Sequence, residues 1–367
     1  MSTVVRNKFD VLGRLTSGNV CDFFDYASPV AEYTNSSISD ASLSAGCLAP
    51  NGKIYFIPGS NSGSTKVLVI DPIAGTTERL DCGSWSGYGA VAAHDGFIYC
   101  FPYGSVSTIM SINPETHEVN TSHKTGVGGS SDYLGATLHP NGNIYLIPSG
   151  AQNVGVYTPS TNTFSSTTTG LTGLPSGAAK WYGGCLAQNG KIYCAPYNHN
   201  SVLIIDVDTP STDITTIASM STYAASSWRQ GCLAPNGKIY FSPRNGTSVL
   251  IVDPSDDSKD ESTIASLTGS NKYCQGILAP NGKIYCLPML FTNALVIDPG
   301  DDSTDTTTYT GYQASQYKFY GRVLGPNGKI YAPAFDITYS LFLTELVPGG
   351  IDTLALEGLL SPYVNNC

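Results

Sequence analysis

Charged residues are scarce in this chain of 367 residues, since Asp, Glu, Lys and Arg together make up only 13% of it. Acidic residues outnumber basic ones by 28 to 18, which gives a formal net charge of −10. Nucleic-acid-binding domains are usually basic, so we expect no nucleic-acid partner. No apolar run reaches the ~18 residues that a membrane-spanning helix needs, so we expect no membrane insertion.

Targeting and metal-binding signals are also missing. The first ten residues, Met1 to Asp10, contain no apolar core, so we expect no ordinary secretory signal. The ten cysteines form no Cys-x-x-Cys pair and no Cys/His cluster, which argues against a zinc site. Without a secretory signal, we expect the thiols to be reduced.

The common catalytic motifs are absent as well. The chain has no Gly-x-Ser-x-Gly elbow, no P-loop and no His-x-x-x-His pair, and it lacks the Ser-x-Asp-x-Gly-x-Thr-Trp box of sialidase-type propellers. A glycosidase needs two facing carboxylates, and Asp132 is the only acid evident in the loops that could hold a ligand. The sequence therefore predicts that the protein is not an enzyme.

What the chain does contain is a repeated Asn-Gly-Lys-Ile-Tyr motif that a proline closes. Seven copies, the second of them degenerate, follow one another at intervals of 44 to 48 residues. They begin at Asn51, Asp95, Asn141, Asn189, Asn236, Asn281 and Asn327. A period of about 40–50 residues with a hairpin signal in each unit is typical of β-propeller blades.

Each repeat offers four strand candidates, which we call A to D. Strand A precedes the Asn-Gly turn, strand B follows it, strand C is an apolar run such as 249–252, and strand D is polar and rich in Thr. The sequence predicts an all-β, seven-bladed propeller over residues 41–357, with four antiparallel strands in each blade. Residues 1–40 form an N-terminal extension, which is either an extra strand on a blade or an arm that docks on a partner, and residues 358–367 form a tail.

The Asn-Gly pair predicts a two-residue type I′ turn, and this fixes the expected pairing of strands A and B. Counting outward from the turn places Cys185 directly opposite Cys194. A cross-strand disulfide is geometrically allowed at such a pair, and two reduced thiols in contact are the favoured alternative.

The repeat resembles known propeller families. In architecture it is similar to kelch-like repeats, although the kelch double-Gly pattern and the WD dipeptide are missing. The unit Asn-Gly-Lys-Ile-Tyr followed by Val-Leu-Ile-Val-Asp-Pro, as at 236–240 and 249–254, more closely resembles a repeat of uncharacterised propeller proteins from bacteria, protists, large DNA viruses and phages. The resemblance implies the fold and no particular activity, because propellers host many functions.

The two faces of the predicted ring differ in composition. The face with the A–B and C–D turns carries clusters of Asp, such as those at 253–260 and 298–305. Closely spaced carboxylates can hold Ca²⁺, although local hydrogen bonds within the turns are the favoured alternative. We expect no other cofactor.

The opposite face carries the D–A and B–C loops, which are aromatic and basic. Tyr, Trp and Arg are enriched at binding hot spots, and aromatic faces beside cations suit sugars, peptides or anionic glycans, although packing between blades is an equally good account of the rings. The predicted ligand-binding residues are Lys180, Trp181, Tyr182, Trp228, Arg229, Lys272, Tyr273, Lys318, Phe319 and Tyr320. The B–C loops add residues such as Tyr103, Tyr197 and Arg244.

These observations lead to a functional hypothesis. We expect a non-catalytic recognition or structural module on the surface of a virion or phage. It binds a cell-surface glycan or protein through the aromatic and basic loops, and it contacts other virion proteins through residues 1–40. The alternatives are a cytoplasmic scaffold that binds a protein partner and a polysaccharide hydrolase.

Overall fold

A computed structural model of the protein describes residues 30–34, 42–59, 65–129, 131–221, 225–312, 318–333 and 342–346. Within these residues the regular structure consists of β-strands and a 3-10 helix, Pro159–Thr161. The first strand, β1 (Val30–Thr34), belongs to the same sheet as the last three strands. No helix in these ranges is both long and apolar enough to cross a bilayer.

Six blades are each formed by four consecutive antiparallel strands. They are β2 (Leu43–Leu48), β3 (Ile54–Pro58), β4 (Lys66–Asp71) and β5 (Thr76–Asp81); β6 (Gly87–Ala92), β7 (Ile98–Pro102), β8 (Thr108–Ile112) and β9 (Val119–Thr125); β10 (Tyr133–Leu138), β11 (Ile144–Pro148), β12 (Gly155–Thr158) and β13 (Thr163–Ser165); β14 (Trp181–Leu186), β15 (Ile192–Pro196), β16 (Leu203–Asp206) and β17 (Ser211–Asp213); β18 (Trp228–Leu233), β19 (Ile239–Pro243), β20 (Leu250–Asp253) and β21 (Ser258–Asp260); and β22 (Tyr273–Leu278), β23 (Ile284–Pro288), β24 (Leu295–Asp298) and β25 (Ser303–Asp305).

One further four-stranded sheet combines the two ends of the described chain. It consists of β26 (Val323–Leu324), β27 (Ile330–Pro333), β28 (Phe342–Leu346) and β1, in the order β1-β28-β27-β26. β1 runs antiparallel to β28, with Val30 opposite Leu346. The edge of β28 is thus paired with an N-terminal strand, and β1 becomes the outer strand of this sheet.

The all-β propeller with four antiparallel strands in each blade is confirmed. The prediction of seven equivalent blades, each formed by its own repeat, is wrong, because six blades are formed in that way. In the last sheet the fourth strand is supplied by residues 30–34 instead of by a strand D. Most of the predicted extension 1–40, and all of the predicted tail 358–367, lie outside the described residues.

The hairpin between strands A and B is not the predicted two-residue turn. In the first blade Leu48 pairs with Ile54, the Ala49 amide donates to the Lys53 carbonyl at 2.9 Å, and the Gly52 amide donates to the Ala49 carbonyl at 3.0 Å. Gly52 has a φ of +79°. This is a three-residue loop, a type I turn followed by a left-handed residue, and Gly adopts that conformation at little cost.

The longer loop shifts the A–B pairing by one residue and corrects the prediction for Cys185 and Cys194. Cys185 lies opposite Tyr193, and Cys194 lies opposite Gly184. A shift of one residue reverses the face to which a side chain points. Accordingly, Cys185 packs with Trp228 of the next blade, whereas Cys194 packs with the preceding blade. Neither cysteine forms a disulfide and both are buried, as are the other six cysteines among the described residues.

The motif also links neighbouring blades. In the copies that begin at Asn51, Asn189, Asn236 and Asn327, the Asn side chain accepts from the backbone two residues later. Its Nδ2 donates to the motif's Tyr hydroxyl and to a proline carbonyl in the C–D turn of the next blade. The Nδ2-to-carbonyl distances are 2.8 Å for Asn51 and Pro114, 2.9 Å for Asn189 and Pro254, 2.9 Å for Asn236 and Pro299, and 3.1 Å for Asn327 and Pro72. The last pair joins the final sheet to the first blade. Apolar packing crosses the same junction, where Val323 and Tyr331 share a core with Leu43 and Phe56.

Asn327→Ala tests this junction. The variant loses the donors to Pro72 and Tyr331, so we expect a loss of about 1–2 kcal/mol in the free energy of unfolding, measured by urea denaturation. Asn51→Ala is the matched change at an internal junction and should cost about the same. Glu115→Ala, at an exposed carboxylate in the C–D turn that Asn51 contacts, should change stability by less than about 0.5 kcal/mol. A cost for Asn327→Ala as small as that for Glu115→Ala would contradict a closed junction.

Candidate axial ligand site

A β-bulge interrupts the inner strand of every blade formed by consecutive strands. Five of these bulges contain two residues that lie opposite a single residue of the second strand. Four of them are Ser44-Ala45, Tyr182-Gly183, Arg229-Gln230 and Cys274-Gln275. The bulge in the third blade contains Leu134-Gly135, and in the second blade Tyr88 is the extra residue. Bulges re-aim side chains and are common beside active sites. Here they turn residues of the inner strands towards the axis of the ring.

The inner strands enclose a cavity of about 50 Å³. Residues from the first six blades and from the last sheet line it, and none of them is acidic. The polar side chains in the lining are Ser44, Tyr88, Tyr182, Gln230, Gln275, Tyr320 and Arg322. Gly and Ala fill most of the remaining positions, because the inner strands approach one another closely there: a Cβ on Gly135 would lie 2.8 Å from Gly183 Cα.

Arg229 lies next to the cavity between two aromatic rings. Its guanidinium carbon is 4.6 Å from the ring centroid of Tyr182 and 4.4 Å from that of Tyr320, and Nη1 contacts the Tyr182 hydroxyl at 3.4 Å. Tyr182 belongs to the fourth blade and Tyr320 to the segment before β26, so the stack joins two distant parts of the chain. Burial raises the pKa of Tyr182, which keeps its hydroxyl protonated.

A second layer of side chains comes from the B–C loops. The ring centroid of Tyr103 lies 4.8 Å from that of Tyr88, and the ring centroid of Tyr197 lies 5.5 Å from that of Tyr182. Arg244 donates to the Tyr197 hydroxyl and lies 5.4 Å from the centre of its ring. Tyr103, Tyr197 and Arg244 are only partly buried. The axial residues are therefore continuous with a loop surface of the same aromatic and basic character.

Three of the ten predicted residues, Tyr182, Arg229 and Tyr320, meet at this axial site. The aromatic residues that precede the bulge do not reach it. Trp181, Trp228, Tyr273 and Phe319 are at most 3% exposed and pack between blades. The indole Nε1 atoms of Trp181 and Trp228 each donate to a carbonyl of the same blade, Ser201 and Ser248 respectively, at 2.8 Å. The expected exposed platform is therefore not formed by these rings.

The three predicted lysines are buried and donate to backbone carbonyls. Lys180 Nζ donates to Ser149, Ala151 and Gly177 at 2.7–3.1 Å. Lys272 Nζ donates to Gly246 at 2.7 Å and to Gly269 at 2.9 Å, and Lys318 Nζ donates to the carbonyls of Met289 and Phe291. Burial lowers the pKa of Lys272 and of Lys318 to about 8. These side chains hold B–C and D–A loops in place.

Arg322, Gln230 and Gln275 line the cavity and were not among the predicted residues. Arg322 occupies a repeat position at which the other six copies have Gly or Ala: Gly46, Ala90, Ala136, Gly184, Gly231 and Gly276. An Arg at a position otherwise restricted to small residues was the signal that could have revealed it. Gln230 and Gln275 likewise replace residues that are Gly or Ala in the other copies.

The acidic turns lie on the other face, where Asp302 accepts from the Tyr240 hydroxyl of the preceding blade at 2.6 Å and other carboxylates accept locally. Asp305 accepts from the Thr307 amide and hydroxyl at 2.7 and 2.8 Å, and Asp260 has equivalent bonds with Ser262 and Thr263. In the part of the chain that the structure describes, no three His, Cys, Asp or Glu side chains are grouped so as to hold a metal ion. Calcium binding at these turns stays a prediction.

No protein-family model and no curated protein sequence matches the chain. Solved structures of β-propellers do match. A streptogramin B lyase is 14% identical with a TM-score of 0.68, over 86% of this chain and 96% of that one. Virginiamycin B lyase from Staphylococcus aureus, in an inactive form with quinupristin, is 11% identical with a TM-score of 0.66, over 87% and 99%. Hydrazine synthase from Kuenenia stuttgartiensis is 13% identical with a TM-score of 0.62, over 85% and 97%.

The class that fold and comparisons define is thus the β-propeller, and at these identities the likeness shows the fold alone. The prediction that the protein is not an enzyme is contradicted, because these neighbours are lyases and a synthase, and a fungal alcohol oxidase of the AA5 family also matches. The absence of the common motifs therefore does not exclude catalysis, since the site rather than the fold carries the chemistry.

Lys272→Met tests the structural role of the buried lysines. The variant removes two charge-assisted hydrogen bonds to carbonyls and should lower the free energy of unfolding by about 2–3 kcal/mol. Ligand affinity at the axial site, measured on the folded variant, should stay within about twofold of wild type. A stable Lys272→Met variant that has lost ligand binding would instead support the predicted role of Lys272 in recognition.

Asp305→Asn tests the local use of the acidic turns. Hydrogen bonds from the Thr308 hydroxyl and the Thr307 amide lower the pKa of Asp305 to about 2. A carboxyl group with a pKa lowered by folding stabilises the protein above its unfolded pKa of about 3.9, and this contribution is lost as the pH falls towards 2. The urea midpoint of wild type should exceed that of Asp305→Asn at pH 6, and the difference should shrink between pH 4 and pH 2.5. A difference that is independent of pH would contradict this account.

Proposed function

We propose that the protein recognises a carbohydrate ligand through the axial cavity and the loop residues around it. The observation that carries this proposal is the convergence of Tyr88, Tyr182 and Tyr320 with Gln230 and Gln275 on one cavity. Ligand pockets typically combine apolar and aromatic walls with a few placed polar groups. A sugar has both C–H faces, which pack on aromatic rings, and hydroxyl groups, which pair with amides and phenols.

The loop layer extends this surface beyond the first sugar. Tyr103 and Tyr197 stand next to the axial tyrosines, and Arg244 carries a positive charge at the rim. A chain of several sugars entering the cavity with one end can lie across these residues. The expected position of the protein on a virion stays a prediction from the sequence, and its presence on purified particles would test that prediction.

We also propose that the sheet of β1, β26, β27 and β28 acts as a seventh, closing blade. The hydrogen bond from Asn327 to Pro72 and the core that Val323 and Tyr331 share with Leu43 support this proposal. Arg322 and Tyr320 belong to this part of the chain and line the cavity. A complete axial site therefore requires this sheet as well as the six consecutive blades.

Virginiamycin B lyase, which has a similar fold, has been solved with quinupristin, so binding of an organic ligand is known for one propeller of this shape. Because that neighbour is a lyase, the protein should also be tested for conversion of its ligand. Product analysis by mass spectrometry, after the protein has been incubated with each glycan that it binds, would separate recognition from turnover.

A glycan array tests the proposal directly. Wild type should bind a subset of the glycans, and Tyr182→Ala, which removes one ring of the axial stack, should weaken binding about tenfold (about 1.4 kcal/mol). Gln230→Ala, at a half-buried side chain, is a second variant that should fold even if Tyr182→Ala does not. Glu115→Ala on the opposite face is the control and should bind like wild type. Absence of any glycan signal for wild type, or unchanged binding by both axial variants, would reject the proposal.

A further inference from the structure

Two arginine side chains are buried at the axis of the ring. Arg229 is 1% exposed and Arg322 is 8% exposed. They come from different sheets, and neither pairs with a carboxylate among the described residues; the ion pairs found there use Lys or His. A buried charge is unfavourable unless it is paired or neutralised. These two cations are therefore an unusual feature of a chain whose net charge is −10.

Arg322 is held in place by a single backbone group. Its Nε and Nη2 donate to the Gly276 carbonyl at 3.2 and 2.8 Å, which anchors one edge of the guanidinium to the sixth blade. The side chain lines the axial cavity, and no acidic residue shares that lining. The remaining N–H groups of an arginine suit the planar, bidentate geometry of a carboxylate.

Arg229 supplies a second donor beside the cavity. Its guanidinium faces are covered by Tyr182 and Tyr320, and such cation–π contacts supply no formal negative charge. Its Nε is buried and has no hydrogen-bond partner. A buried donor without a partner costs free energy, so a bound acceptor would be favoured at this point.

Gln275 adds an unpartnered acceptor to the same wall. Its side chain is 7% exposed and lines the cavity, and its Oε1 has no hydrogen-bond partner. An unpaired acceptor beside cationic donors suits a ligand that carries a hydroxyl group next to its anionic group. The cavity of about 50 Å³ holds several water molecules, and thus a carboxylate with an adjacent hydroxyl, but not a whole oligosaccharide.

We infer that the axial cavity binds the carboxylate of an acidic sugar, with Arg322 as its ion-pair partner and Gln275 accepting from a neighbouring hydroxyl. This inference rests on the proposed carbohydrate function and specifies its charge. Arg229, which stacks on the lining residues Tyr182 and Tyr320, adds positive charge behind the cavity wall, and the tyrosines pack against the sugar ring. No acidic residue in the lining repels the anion at short range.

Isothermal titration calorimetry of the full chain tests the inference with three probes. Glucuronate carries both a carboxylate and hydroxyls, glucose lacks the carboxylate, and triglycine carries a carboxylate on a peptide. Glucuronate should bind at least tenfold more tightly than glucose or triglycine. Its affinity should fall at least tenfold in Arg322→Gln and be partly retained in Arg322→Lys, which keeps the positive charge. Lys283→Gln, which removes a cation that pairs with Asp298 on the other face, is the matched control and should leave the affinity unchanged.

Each contrary outcome has a separate meaning. Equal affinity for glucose and glucuronate, or an affinity for glucuronate that Arg322→Gln does not change, would overturn the inference and leave the proposed carbohydrate site intact. Triglycine that binds as tightly as glucuronate would overturn the assignment to a sugar acid. No binding of glucuronate overturns the inference outright, and the proposed function fails with it only if the glycan array is also silent.

Discussion

The hairpin that ends each inner strand is the constraint on which the rest of the molecule depends. A three-residue loop with a left-handed Gly sets the pairing of strands A and B, and the Asn of the same loop donates to the next blade. Register and blade spacing thus come from one motif. A one-residue change in loop length would exchange the two faces of the inner strand, so that bulge residues and core residues would trade places.

Ring closure imposes the second constraint. The inner strands converge on the axis, where Gly and Ala are required at most positions because the backbones nearly touch. The bulges lie at equivalent positions of the inner strands and open a limited space in this crowded region. Only some of the repeats have large side chains at these positions. Tyr88, Tyr182, Arg229 and Tyr320 fill the space unevenly, and this leaves a cavity instead of a uniform channel. The site is a departure from the repeat that the repeat itself makes possible.

Much of the fold could be predicted from the sequence because a period near 46 residues reflects local strand and turn preferences that recur in every copy. The turn type could not be predicted, since Asn-Gly fits both a two-residue loop and the last two residues of a three-residue loop. The fourth strand of the last sheet was equally hidden, because β1 pairs with β28 more than 300 residues away and carries no repeat signature.

For the site, residue type predicted less than repeat position. Trp is a residue type enriched at binding hot spots. Trp181 and Trp228 nevertheless precede the bulge and are therefore directed into the cores between blades. Tyr182 and Arg229 are their immediate neighbours and reach the axis. Alternation along a strand separates the two sets, and it can be applied only when the register is known.

The electrostatics of the two faces follow from the same geometry. The carboxylates of the C–D turns lie on one face, where backbone amides and Thr hydroxyls stabilise them, and the nearby lysines pair with some of them. The axis and the opposite loops carry Arg229, Arg244 and Arg322 without acidic partners among the described residues. Separating charge in this way costs stability and gives a protein of negative net charge a confined positive region. Because the low dielectric of a buried cavity strengthens such a field locally, an anion is attracted at short range even though the protein as a whole repels it.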